Sequence, residues 1–230
     1  MSERIDKALA RLEMRLDYQF RQPELLRQAM THRSHGNKNN ERLEFLGDSI
    51  LGFVVSGLLY QHYPEVSEGD LSRLRARLVR GESLAEIARA FEFGEALLLG
   101  PGEMKSGGHR RDSILADSVE AVIGAIYLDG GFEQCEAWLQ QVIQPRMEAL
   151  PPVAQLKDPK TRLQEWLQAR KQPVPQYEVI KVEGEGHQQR FTIRCQIREP
   201  AMTLEGHGRS RRKAEQEAAL ALIEQLEAKG

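Results

Sequence analysis

The chain has 230 residues, with 32 Lys and Arg against 34 Asp and Glu, a net charge of -2 and a pI near 6.3. That length suits one large domain or two small ones with real cores, and the near-neutral balance announces no polyanionic partner. The average hides a split, because residues 1–150 hold 18 basic against 23 acidic side chains, whereas residues 151–230 hold 14 against 11. An acidic body with a basic appendage is a different object from a neutral protein. Cys135 and Cys195 form no CxxC pair, which suits a reducing compartment and excludes a zinc or redox motif. The stretch MSERIDKALARLEMRL reads as a charged amphipathic helix and not as a signal peptide. No apolar run reaches bilayer-spanning length without charges, so the expectation is a cytoplasmic protein with no membrane partner.

In chain order, Ile5, Leu9, Leu12 and Leu16 repeat at helical spacing over residues 4–17. Pro23 opens a second short helix carrying Leu25, Leu26, Ala29 and Met30, and THRSHGNKNN follows as a polar loop. NNERLEFLGDSILGFVVSGLLY, residues 39–60, reads as a core helix, and Ser67 with Asp70 three residues on is a capping signature. Further helices are expected over SLAEIARAF and ILADSVEAVIGAIYL, the latter stopped by Gly130 and Gly131. The glycine-rich basic segment GPGEMKSGGHRRD lies between them. No strand alternation occurs before residue 150. LPPVAQLKDP is the linker, and beyond it TRLQEWLQAR reads as a helix, QYEVIKVE, RFTIRCQI and MTLEGHGR as half-buried strands, and SRRKAEQEAALALIEQL as a last helix. The expected architecture is an all-α domain over 1–150, a linker over 151–157 and a small α+β (α-β-β-β-α) domain over 158–228.

The informative anomaly is the helix that begins near residue 40. Its body is apolar, yet Glu41, Glu44 and Asp48 fall within an arc of about 60° on one face. A solvated stripe accounts for an ordinary triple of this kind. Here the other faces are nearly all apolar, and a second apolar helix repeats the device with Asp117 and Glu120. Carboxylates beside a core are costly unless compensated, and a divalent cation compensates them most strongly. Five acids on two helices suit a hard cation such as Mg²⁺. A di-iron centre needs Glu-x-x-His, and here the i+3 partners are Glu44 and Glu120. By composition alone Glu68 is an acid in the first turn of a helix, favoured there by the dipole. His32, His35, His62, His109, His187 and His207 are scattered without partner spacing and read as loop or surface residues, not as a metal-free acid–base pair.

ERLEFLGDSIL resembles the signature of the bacterial ribonuclease III family, and the likeness continues through SEGDLSRLRA, LGPGEMKSGG and ILADSVEAVIGAIYLD over nearly the whole chain. The resemblance implies a helical catalytic and dimerisation domain followed by one double-stranded-RNA-binding domain. It assigns Glu41, Glu44, Asp48, Glu68, Asp117 and Glu120 to an acidic catalytic cluster. Within it Asp48, Glu120, Glu41 and Glu68 serve catalysis, and Glu44, Asp117 and Glu120 are metal ligands. It implies Mg²⁺-dependent endonucleolytic cleavage of double-stranded RNA, with Mn²⁺ able to substitute, giving 5′-phosphate and 3′-hydroxyl ends. The substrates implied are ribosomal precursors and other structured transcripts. A homodimer would place one cluster on each strand, with Phe45 inserted into the partner. The competing readings are a non-catalytic RNA-binding protein, which has no reason to keep six acids near an anionic ligand, and a di-metal oxidoreductase, which lacks histidine ligands.

In the tail, Ser210, Arg211, Arg212 and Lys213 stand at a loop-to-helix junction. Cations there oppose the helix dipole, so the junction reads either as a solvated helix start or as a phosphate site. By resemblance this helix start meets the major-groove phosphates of A-form RNA, although the lysine-rich run usual in the family is Arg-Arg-Lys here. Thr161, Gln164 and Glu165 on the first helix would meet one minor groove, and His187 the next, a readout of shape more than of sequence. Trp166 and Leu163 read as core. Lys105, Arg110 and Arg111 form a basic loop patch that is either an RNA contact or solvated.

Overall fold

The structure, a computed structural model, describes residues 2–152, 157–184 and 189–228. The chain divides into two compact units, Met1–Leu150 and Pro151–Gly230. The first is built from α1 (Ser2–Leu16), α2 (Pro23–Ala29), α3 (Glu41–His62), α4 (Glu68–Leu78), α5 (Gly81–Ala90), α6 (Pro101–Lys105), α7 (Asp112–Gly130) and α8 (Phe132–Glu148), with 3-10 turns at Phe93–Glu95 and Gly108–Arg110. One isolated bridge, Thr31 to Leu98, is the sole extended pairing among its described residues.

Helix α7 is the axis of this unit. Ile114, Leu115, Val119 and every residue from Ala121 to Ile126 are buried, and α2, α3, α5 and α8 pack around it. The crossing with α3 is made by glycine. A Cβ on Gly47 would sit 1.7 Å from the Glu120 carbonyl oxygen, and one on Gly124 would sit 2.3 Å from the Leu43 carbonyl oxygen. Only a residue without a side chain allows the two backbones to meet. By length and composition α3 could cross a bilayer, but, as expected, it is not free of charge, since Glu41, Arg42, Glu44 and Asp48 lie within it. In the fold its buried face, Leu43, Ile50, Leu51, Val54 and Val55, is spent on the core of this unit.

The far end of α7 ties down the turn between α1 and α2. The carboxylate of Asp129, 7% exposed, accepts hydrogen bonds from Tyr18 Oη at 2.9 Å, Arg21 N at 3.0 Å and Gln22 N at 2.8 Å. At the start of α4, Ser67 Oγ accepts from Asp70 N at 3.3 Å and donates to its carboxylate at 2.8 Å, as the capping signature requires. Two stretches fold in ways outside the expected set. Helix α8 buries Cys135, Trp138, Leu139, Val142, Ile143 and Met147, and the glycine-rich basic segment folds into α6 and a 3-10 turn.

The second unit comprises α9 (Pro159–Ala169), β1 (Gln176–Glu183), β2 (Arg190–Ile197), β3 (Met202–Gly208) and α10 (Arg211–Glu227). The strands form an antiparallel sheet in the order β1-β2-β3, with a register shift between Val179 and Lys181. Its core joins Leu163 and Leu167 of α9, Cys195 and Ile197 of β2, and Ala218, Ala219, Leu222, Ile223 and Leu226 of α10, with Trp166 packed at the margin. Gly206 brings α10 onto β3, since a Cβ there would lie 2.3 Å from the Ala218 backbone nitrogen. Cys135 and Cys195 are free, fully buried thiols.

Gly47→Ala places a methyl group inside a carbonyl. The expected cost is about 3 kcal/mol or more, a fall of roughly 10 °C in the unfolding midpoint of the first unit. Calorimetry of the full chain measures it, and Gly52→Ala, which meets nothing within 4 Å, is the control expected to change little.

Candidate active site

The α3–α7 crossing brings the acids of both helices to one place. Single carboxylate oxygens of Glu44, Asp117 and Glu120 lie within 4.8 Å of one another, all partly buried. Burial and the neighbouring Asp48, Glu44 and Asp117 charges push the Glu120 carboxyl up to about 7. Burial and the Asp117, Glu41 and Asp48 charges raise Glu44, against a smaller opposing pull from Arg33. Burial raises Asp117, opposed by His32 and Arg33. Four acids of the expected set, Glu44, Asp48, Asp117 and Glu120, therefore share one electrostatic environment, and Glu41 reaches its edge through Glu44. Glu68 is placed differently: it stands in the first turn of α4, exposed, with its carboxylate accepting from Ser72 Oγ at 2.8 Å.

Three converging oxygen donors with raised pKa values are a fit for a hard divalent cation. Oxygen-only donors match Mg²⁺ or Mn²⁺, and the mutual repulsion is what a cation relieves. The residue that makes this possible without supplying a ligand is Gly47, which lies against the Glu120 backbone. The pattern of acids in the sequence points to the ligands. How close the helices come is carried instead by the small residues, Gly47 on one helix and Gly124 on the other, a signal that the acid spacing does not contain.

Phe45 lies between the acids in sequence but on another face, 78% exposed, and shares that side of α3 with the exposed Phe53 and Tyr60. The Phe53 ring meets Phe132 edge-on, with centroids 5.8 Å apart. In the glycine-rich segment, Arg111 is held by Glu103 at 2.6 Å and by Ser106 Oγ at 3.2 Å, so it is less free than a solvated loop implies. Lys105 and Arg110 are exposed.

In the second unit, Ser210 caps α10, its Oγ accepting from Lys213 N at 3.3 Å, and Arg211, Arg212 and Lys213 are exposed. Arg211 also holds the buried Glu215 carboxylate at 2.9 Å, and Lys160 holds it from the other side. Burial works to raise Glu215, but these two hydrogen-bonded cations keep it below the usual carboxylate range. Arg212 reaches Asp158 at 3.6 Å. Thr161, Gln164 and Glu165 share an exposed face of α9, with Glu165 paired to Lys157 at 2.9 Å. His187 lies outside the described residues.

A converged set of carboxylates on a helical core, followed by an α-β-β-β-α unit with a basic helix start, is an arrangement suited to metal-assisted hydrolysis with a phosphate-binding module on the same chain. Known proteins of similar sequence agree with it. A family model described as Ribonuclease-III-like matches residues 22–147, and one described as a double-stranded RNA binding motif matches residues 159–226. The chain is 55% identical over 218 residues to Ribonuclease 3 of Shewanella denitrificans, covering 95% of this chain and 96% of that one. It is 54% identical over 226 residues to Ribonuclease 3 of Vibrio parahaemolyticus, covering 98% and 99%. A solved structure of the ribonuclease III nuclease domain from Campylobacter jejuni is 43% identical with a TM-score of 0.58, covering 59% of this chain and 95% of that chain, in work on a region of that domain involved in dimer formation. This chain belongs to the ribonuclease III family. It is an endoribonuclease whose substrate is double-stranded RNA.

Two measurements check the two faces. Glu120 is raised above its unfolded value, so ionising it in the metal-free fold costs stability progressively as pH rises from about 4.5 to about 7. Glu120→Gln in the metal-free protein is therefore expected to add about 1–2 kcal/mol at pH 8, after discounting for solvent screening, and almost nothing at pH 4.5. Denaturant midpoints at the two pH values read the difference. Replacing Arg211, Arg212 and Lys213 together by alanine is expected to weaken hairpin binding and to lower the salt slope by up to about 0.9 for each phosphate no longer neutralised. An unchanged slope in a fluorescence titration counts against that face.

Proposed function

We propose that Glu44, Asp117 and Glu120 hold a divalent cation, Mg²⁺ by preference and Mn²⁺ by substitution, and that Asp48 and Glu41 complete the charge of the site. Glu68 belongs with them on the resemblance alone. The observation that carries the reading is the convergence of three oxygen ligands whose carboxyls are raised by burial and by neighbouring acids. A bound ion would supply Lewis-acid activation of water and charge neutralisation at the phosphate. The chain's own part is to aim oxygen donors, to keep the site partly shielded by the α3–α7 crossing, and to bind metal with release of the proton that Glu120 carries near neutral pH.

The reaction is hydrolysis of a phosphodiester in duplex RNA to 5′-phosphate and 3′-hydroxyl ends, in ribosomal precursors and other structured transcripts in the cytoplasm. The tail supplies affinity through Ser210, Arg211, Arg212 and Lys213 on phosphates and through Thr161, Gln164, Glu165 and His187 in the minor grooves. Both strands of a duplex need cutting, and a two-fold assembly meets this need. The exposed aromatic side of α3, Phe45, Phe53 and Tyr60, is the face on which a second copy would sit, and the Campylobacter jejuni relative has a region described as involved in dimer formation.

Incubation of a labelled RNA hairpin with and without Mg²⁺, followed by end-group analysis, tests the chemistry. Glu120→Gln is expected to lose at least about a thousandfold in cleavage rate while hairpin affinity stays within about twofold, because it removes a metal ligand and no RNA contact. Cleavage that survives EDTA, or a variant as active as the parent in Mg²⁺, refutes the assignment.

A further inference from the structure

Bordered by three of these carboxylates, a cleft of about 520 Å³ opens between the 32–34 loop, the start of α3 and the start of α7. Its lining includes four acids, Glu41, Glu44, Glu103 and Asp117, and beside them a set of donors. The N-terminus of α7 faces it through Ser113 and Ile114. The backbone bonds of that helix begin with Leu115 N donating to Arg111 O, and no side chain caps the end. The N–H groups of residues 112–114 therefore lack intrahelical partners and carry the positive end of the helix dipole. Asp112, the acid that could neutralise them, is bonded to Arg89.

Two side chains add independent donors. Asn40, the N-cap residue of α3, is 2% exposed and lines the cleft; its side chain makes no capping bond, and its buried amide nitrogen has no hydrogen-bond partner. A buried donor left unpaired costs free energy, and such groups are satisfied by a ligand or water. Arg33 is the other. Its loop is clamped to residues 98–100: His32 N donates to Leu98 O at 3.0 Å, and Gly100 N donates to Ser34 Oγ at 2.9 Å. Gly100 has no room for a Cβ, which would fall 2.2 Å from the Ser34 carbonyl oxygen. The guanidinium held out by this clamp is 72% exposed, and its ion pair with Glu41 is long, at 3.7 Å. Arg111, which lines the same cleft, is already committed to Glu103.

We propose that this cleft is a phosphate seat for the RNA strand that is cut, with Arg33 and Asn40 as its side-chain donors and the α7 N-terminus as its backbone donor. The inference rests on the reading of the carboxylates as the cleavage site. A divalent cation would offset part of the acids' charge, and the seat adds cationic and N–H partners for a phosphate next to the metal-binding oxygens. Arg33 is a binding residue here, and not a metal ligand.

The experiment uses the full chain in the Glu120→Gln background, so that hairpin binding is read without cleavage. Arg33→Ala is expected to weaken hairpin affinity about fivefold to tenfold and to reduce the salt slope by about one. Arg33→Lys keeps the charge and is expected to recover most of the slope but less of the affinity. Asn40→Ala is expected to weaken affinity a few fold, with far-ultraviolet circular dichroism confirming that it folds. Calorimetric titration of Mn²⁺ into Arg33→Ala separates the rival role, in which the guanidinium only offsets the acids. In that case Mn²⁺ binds more tightly while hairpin affinity and salt slope stay unchanged, and the seat is overturned. An actively cleaving Glu120→Gln protein overturns the placement of the cleavage site itself, and the seat with it.

Discussion

Everything the first unit does depends on two helices touching backbone to backbone. At Gly47 and Gly124 the α3 and α7 main chains come so close that a single methyl group on either would overlap a carbonyl oxygen of the other. Ordinary helix pairs are held 8–10 Å apart by their side chains. The glycine contact removes that spacer, and one consequence is that acids a few residues away on each helix end up within reach of one ion. The packing that builds the core and the arrangement of the ligands are therefore one feature, and neither can be altered alone.

That arrangement opposes stability. Partly buried carboxylates raise one another, with Glu120 pushed up to about 7, so the metal-free fold carries repulsion that a core of the same shape without charge would not. Functional sites commonly hold such conflicts while the rest of the structure supplies the surplus. Here the surplus is visible in α7, whose Ala121–Ile126 run is wholly buried, and in Asp129, whose three hydrogen bonds lock the neighbouring turn. The cationic and N–H donors along the adjoining cleft complement the acids that also line it.

Much of this is legible in the residues. The periodicity of the apolar positions locates α1, α3, α5, α7, α9 and α10, and the alternation in the tail locates all three strands. The same-face spacing of Glu41, Glu44 and Asp48, repeated by Asp117 and Glu120, points to a metal. Helix α8 is harder to see although Cys135, Trp138, Leu139 and Val142 keep helical spacing, because Gly130 and Gly131 mark a stop and Pro145 interrupts the pattern. The depth of the α3–α7 contact is also invisible, since a glycine in a helix announces low propensity and not what lies opposite it. Glu68 shows the limit from the other direction: its first-turn position and its bond to Ser72 are what local chemistry anticipates, and only likeness to a family places it with the other acids. Asn40 and Arg33 carry no local signal, because their meaning comes from a loop clamp that joins Ser34 to Gly100, 66 positions away.

The two thiols have a practical consequence. Each unit holds one cysteine with no solvent exposure, Cys135 beneath α7 and Cys195 in the middle of β2. Burial pushes the first up to about 12 and the second up to about 11, so neither is a nucleophile while its surroundings are closed. Alkylating reagents can therefore register only the moments when a core opens. With one reporter in each unit, peptide mass mapping after timed labelling yields two separate opening rates from an unmodified chain, and with them a direct measure of whether the two cores unfold together or apart.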